Sequence, residues 1–329
     1  MLVLIFTSSL SLYKMAEAMS SKAKRVLVSL LSSLHNYMPL SYETYFKIFD
    51  TKITSILLYG SELWGYENRV CIEQIHTYAC KRYASAPLKT CNSAIMGDCG
   101  RFPLYIYSSK KCVKYWLRIL HLPDHRYVRK CYNMLRLLDS NGKVNWVTRI
   151  RMLLSSNGFG YIWENQGVDN ESIFLKIFVQ RLQDQYMQTW YETSRNSPKL
   201  MSYTQYKTNF KAEKYFSVLN IKKFRYALVS LRCSSHLLMI EQGRYIGLDR
   251  NDRFCPLCPS TIEDEYHFVL ICPLYTELRK KYILEKFYEI PSRHKFNILM
   301  SAENETIIRD LASYIYHSYN LRKSFLTPT

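Results

Sequence analysis

Four side chains close together in sequence limit what this chain can fold into: Cys255, Cys258, His267 and Cys272, in the order Cys-x2-Cys-x8-His-x4-Cys. Structural zinc takes four sulfur or nitrogen ligands in a tetrahedron. Cys255 and Cys258 can both point inward across a tight turn that Pro256 and Pro259 stiffen. His267 and Cys272 supply the second pair, provided the helix carrying them ends or bends near Cys272, where Pro273 favours an end. Two neighbouring cysteines alone would read as core residues; four ligands in this order read as one structural Zn2+ site. With four protein ligands there is no open position for water, so the expected role is structural. Cys233 and His236 are reserve ligands. Glu263, Asp264 and Glu265 read as helix-start acids beside the ligand His267 rather than as a magnesium cluster. Arg244, Arg253 and Arg279 are available to pair with them.

The rest of the chain reads as mainly α. Only 10 glycines and 10 prolines interrupt 329 residues, and apolar residues make up 48%, enough for real cores. Helical spacing runs over Ser11–His35, Ser41–Leu58, Asn68–Ala84 and Leu104–Leu120 in the first third. It continues over Arg126–Leu138, Val144–Leu154 and Ser172–Thr193 in the middle. A basic helix, Ile221–Glu241, precedes the cluster; helices near Glu277–Glu289 and over Glu305–Lys323 follow it. Leu2–Phe6 reads as a strand, and Ala16-Glu17-Ala18 as a false signal-peptidase site, since no basic residue precedes a short apolar run. The expected organisation is a thumb-like helical bundle over residues 1–120 and a helical connector over 121–220. A basic helix with the zinc knuckle would span 221–285, and a C-terminal helical segment 286–329.

The net charge is +18 and the chain carries 28 tyrosines. Such a surplus favours a polyanionic partner, and aromatics beside Lys and Arg can stack on bases. The candidate nucleic-acid contacts are Lys110, Lys111, Lys114, Lys222, Lys223, Arg225, Arg244, Arg253 and Arg279. Tyr245, Phe254, Tyr266 and Phe268 are candidate stacking residues, although Phe268, beside His267, reads first as local core. Ten cysteines are too sparse for a disulfide scaffold. Cys71, Cys80, Cys112 and Cys131 read as small buried hydrophobes. No apolar stretch is long enough to span a membrane. The expectation is an intracellular protein, nuclear or cytoplasmic, not secreted and with no membrane partner.

Several short motifs, in order, resemble one family. Leu57-Leu58-Tyr59-Gly60-Ser61-Glu62-Leu63-Trp64-Gly65 and Gly97-Asp98-x-Gly100-Arg101-x-Pro103 are similar to segments that follow the polymerase palm in non-LTR, LINE-like retrotransposons of animals. So are Leu231-Arg232-Cys233-Ser234-Ser235-His236, Ile240-Glu241-x-Gly243-Arg244, Arg253-x-Cys255-x2-Cys258, Ile262-Glu263-Asp264-Glu265-x-His267-Phe268 and Cys272-Pro273-x-Tyr275-x3-Arg279. Asp98 stands where such elements often carry glutamate. The resemblance covers roughly the first 120 residues and the stretch from Lys222 to Lys281.

The resemblance implies a thumb region followed by a C-terminal knuckle that helps bind element RNA or target DNA, and leaves room for a polymerase palm supplied in trans. A reverse transcriptase needs paired aspartates to hold two metal ions, and no Asp-Asp pair occurs anywhere in the chain. The expectation is therefore a fragment without the palm, binding RNA or single-stranded DNA and not itself an enzyme. The alternatives are a zinc-stapled protein-interaction module, a polymerase completed in trans, and a non-functional element remnant. Gly158-Phe159-Gly160 lacks the third glycine of a phosphate loop, and no Cys/His pair is ordered with an orienting third group.

Overall fold

The computed structural model describes residues 13–34 and 40–326. It is mainly α, with a small hairpin, β1 (Phe254–Cys255) and antiparallel β2 (Cys258–Ile262), as the only sheet among the described residues. The expected strand Leu2–Phe6 lies outside the described residues. No described helix is long and apolar enough to cross a membrane.

Proline and glycine mark several helix ends where the sequence places them. The helix Leu104–Leu120 begins after Pro103, and the helix Ser61–Trp64 begins after Gly60, which is left-handed at φ 66°. Two long helical expectations break. Ile221–Glu241 divides into Lys222–Arg232 and Met239–Tyr245, because Ser234 takes a left-handed conformation at φ 49° and the intervening residues bond elsewhere. Glu277–Glu289 divides at Ile283, which is extended, into Thr276–Tyr282 and Glu285–Tyr288.

The chain forms two compact units, each assembled from separated stretches: residues 1–38, 46–76 and 102–189 in one, and 39–45, 77–101 and 190–329 in the other. This differs from the consecutive segments 1–120, 121–220, 221–285 and 286–329, because residues 77–101 pack with the C-terminal half instead of with their sequence neighbours.

The first unit has a core led by Trp116, stacked on Trp163 at 5.6 Å between ring centroids. Leu-Tyr-Gly-Ser-Glu-Leu-Trp-Gly packs there for a steric reason. A side chain at Gly65 would place Cβ 2.6 Å from both Ser108 Cβ and the Ser61 carbonyl oxygen. Ser108 and Ser109 hydroxyls instead donate to the Gly65 carbonyl at 2.9 and 3.2 Å, so the two helices touch nearly backbone to backbone.

In the second unit, the helix Lys222–Arg232 packs on the final helix, Glu305–Leu326. Its polar centre is Asp98, fully buried. Asp98 accepts from Arg232 Nε at 3.1 Å and from the Tyr203 and Tyr215 hydroxyls at 3.0 and 2.9 Å. Arg232 also donates to the Met300 carbonyl and pairs with Glu213 at 3.1 Å. Two motifs 134 residues apart, one holding Asp98 and the other Arg232, thus meet as one buried ion pair.

Candidate metal centre

The four proposed ligands converge in the second unit. Cys255, Cys258, His267 and Cys272 bring one ligand atom each to within 4.8 Å of one another, in an arrangement able to hold a metal ion. Cys258 Sγ lies 3.7 Å from Cys272 Sγ and 3.1 Å from His267 Nε2. Zn–S bonds of ~2.3 Å at tetrahedral angles would separate two sulfurs by about 3.8 Å, so the sulfur edge already matches a zinc tetrahedron.

Local structure explains the convergence. Cys255 and Cys258 face each other as paired residues at the closed end of the hairpin, where β1 and β2 slip register by a bulge. On the other side, His267–Ile271 winds as a π-turn. The Cys272 amide donates to the His267 carbonyl at 2.8 Å, an i→i+5 bond. In an α-helix residues five apart diverge around the axis; closing the turn on i+5 brings His267 and Cys272 to one side. Cys272 then leaves the helix in extended conformation, before Pro273.

The electrostatics suit a cation. Hydrogen bonds from Cys272 and His267 pull the Cys255 thiol down to about 3 against the opposing effect of burial. Donation to Cys255, together with burial, pushes the Cys272 thiol up, and burial raises Cys258. One sulfur thus holds its negative charge only by drawing on its neighbours, which a bound cation would relieve by taking all three as thiolates. His267 Nδ1 is buried and makes no hydrogen bond; the nitrogen with a partner is Nε2, turned toward the sulfurs.

The acidic run Glu263-Asp264-Glu265 is buried and splits three ways. Glu263 receives Arg322 Nε and Nη2 at 2.8 and 2.7 Å, and its Oε1 lies 3.9 Å from Cys255 Sγ. Asp264 caps the His267 amide at 2.8 Å and pairs with Arg293 at 2.7 Å. Glu265 meets His236 Nε2 at 3.1 Å and accepts from the Ser202 hydroxyl at 2.7 Å. Burial alone would raise the Glu265 carboxyl, but His236 and Ser202 hold it down to about 2. These partners differ from the expected Arg244, Arg253 and Arg279. His236 therefore supports the site without being a reserve ligand, and Cys233 sits instead 3.8 Å from Asp98.

The candidate nucleic-acid contacts divide between the units. Lys110, Lys111 and Lys114 lie on Leu104–Leu120 in the first unit. Lys114 is exposed, whereas Lys111 donates to the Leu58 carbonyl at 3.0 Å. In the second unit Lys222 and Lys223 are exposed, and Lys223 lies 4.9 Å from the Tyr316 ring centroid. Arg244 is half-buried and pairs with Glu241. Arg253 lies across Gly243 and donates to the Ile240 and Leu248 carbonyls.

Arg225 and Arg279 are corrected: neither reaches the surface. Arg225 is buried against the Tyr83 ring, and Arg279 donates to the Val269 and Cys272 carbonyls at 3.0 and 2.7 Å. The motif position of Arg279 reflects packing. Phe268 is buried likewise, whereas Tyr245 and Phe254 are exposed. All ten cysteines are free; Cys80 and Cys112 are buried as expected, Cys71 is half-buried and Cys131 is exposed. Sequence reading missed Arg322, which sits on Glu263 from 59 residues away; nothing local to Arg322 marks that partnership.

No protein family, curated protein or solved structure matches this chain.

Proposed function

We propose that the chain binds RNA or single-stranded DNA, and that one structural zinc on Cys255, Cys258, His267 and Cys272 holds the second unit in its binding form. The observation that carries this reading is the convergence of those four ligand atoms within 4.8 Å, in a chain of net charge +18. The resemblance to the thumb and C-terminal knuckle of non-LTR retrotransposon reverse transcriptases supports the same role, with element RNA or target DNA as partner. The exposed Lys114, Lys222 and Lys223 are the contacts best placed for phosphate. Such contacts give affinity and salt dependence and little sequence information. The chain does not itself polymerise: it has no adjacent aspartates to hold a catalytic metal pair.

Zinc content by mass spectrometry and strand binding across a salt series test this directly. One zinc per chain, and a log–log salt slope of about −0.7 for each phosphate neutralised, are expected. A folded zinc-free chain, or no strand binding at low salt, would overturn the reading.

One observation favours a second reading, a protein-docking module. The helix Tyr127–Ser140 exposes Tyr127, Met134 and Leu137 at 85%, 55% and 63%, an apolar stripe of the kind that marks interaction sites. Partner recovery unchanged by nuclease would support it.

A further inference from the structure

A cavity of about 490 Å³ opens in the second unit, walled by the helices Lys222–Arg232 and Glu305–Leu326 and by residues 235–237. That volume lies in the range of small-ligand sites, roughly 300–1,000 Å³. Tyr226, Leu237, Tyr319 and Leu326 give it mostly apolar and aromatic walls. Lys89, Arg322 and Lys323 also line it, and no carboxylate does. Its character is thus an apolar slot with a cationic rim. Tyr319 contributes its ring to the wall, and Asn320 adds an amide.

We infer that this cavity takes the base of one unpaired nucleotide, with the adjoining phosphate facing Lys89 and Lys323. The inference rests on the nucleic-acid reading and sharpens it, since a base can enter only when it is out of a duplex stack. Aromatic walls hold any base by its faces, while the Asn320 amide can meet its polar edge.

The metal centre forms the support behind this slot. Arg322 is fixed by two hydrogen bonds from its guanidinium to Glu263, whose carboxylate lies 3.9 Å from Cys255 Sγ. His236, also in the wall, is fixed on Glu265, two residues before the ligand His267. Metal loss frees the hairpin and the π-turn that flank the segment carrying both carboxylates, and so loosens the wall.

The test is fluorescence anisotropy on the zinc-loaded full chain at low salt. It compares a labelled oligouridylate with an abasic strand of equal length. Stacking by one base predicts about five- to hundredfold tighter binding of the base-bearing strand. Tyr226→Ala and Leu237→Ala, both at exposed positions, should abolish that ratio and leave abasic binding and thermal melting unchanged. Lys89→Ala should weaken both strands. Equal affinity for the two strands in the wild type, or a ratio untouched by either apolar variant, overturns the slot while strand binding itself persists. Failure of both strands to bind at all overturns the nucleic-acid reading, and the slot with it.

Discussion

Asp98 is surrounded by donors from three separate stretches of chain and has no access to water. Burial alone would raise its carboxyl, but Arg232, Lys207 and Tyr215 outweigh burial and leave it below the ordinary carboxylate value. A carboxyl held low stabilises the fold fully above its unfolded value near 4, and the contribution is lost as pH falls through the folded value. Asp98→Asn keeps the shape and leaves the Arg232 charge short of its main partner. The expected cost is about 3–5 kcal/mol, read by urea denaturation at neutral pH, with a shallower loss of stability on acidification than in the wild type. At the metal centre, Cys255→Ser and His267→Ala should each take zinc from one per chain toward none. A bound metal at a thousandfold excess over its dissociation constant is worth about 4 kcal/mol, and melting with and without zinc measures that loss.

Helices bounded by prolines and glycines were legible from the sequence: Leu104–Leu120 has its full expected length, because Pro103 fixes its start and its buried face repeats at helical spacing. The helix expected through Ile221–Glu241 broke for a reason outside its own stretch. Its apolar period continues past residue 233, yet Ser234 turns left-handed and His236 reaches Glu265, 29 residues away. The candidate metal ligands were legible because their chemistry is local in sequence. The burial of Arg225 and Arg279 was not, because charge in a sequence carries no sign of which face a helix turns inward. Glycine offers a sharper case. At Gly97 an added Cβ would lie 2.5 Å from the Trp190 ring and 2.6 Å from the Tyr203 hydroxyl, so the helix Asn92–Cys99 depends on a missing side chain. Gly97→Ala should destabilise by about 1–3 kcal/mol. Paired with Trp190→Ala, which opens space at the same point, its penalty should shrink in a double-mutant cycle of denaturation curves.

The chain forms two compact units, and among the described residues one candidate metal centre is found, in the second unit. Chelation should therefore act unevenly. Hydrogen exchange after zinc removal is expected to speed up over Cys255–Tyr282 and in the Arg322 turn, while Leu104–Leu120, built around Trp116 and Trp163, keeps its protection. Uniform loss of protection across the chain would contradict that uneven response.

The second unit gathers residues 39–45, 77–101 and 190–329, which has a consequence during synthesis. Asp98 leaves the ribosome long before Arg232, and Glu263 before Arg322 on the last helix. A chain under translation must hold residues 77–101 without their C-terminal packing partners while more than a hundred further residues are made. Contacts this distant in sequence form slowly and leave apolar surface open to other molecules meanwhile. The yield of folded protein should accordingly respond to translation rate and to chaperone supply more than its final stability would suggest.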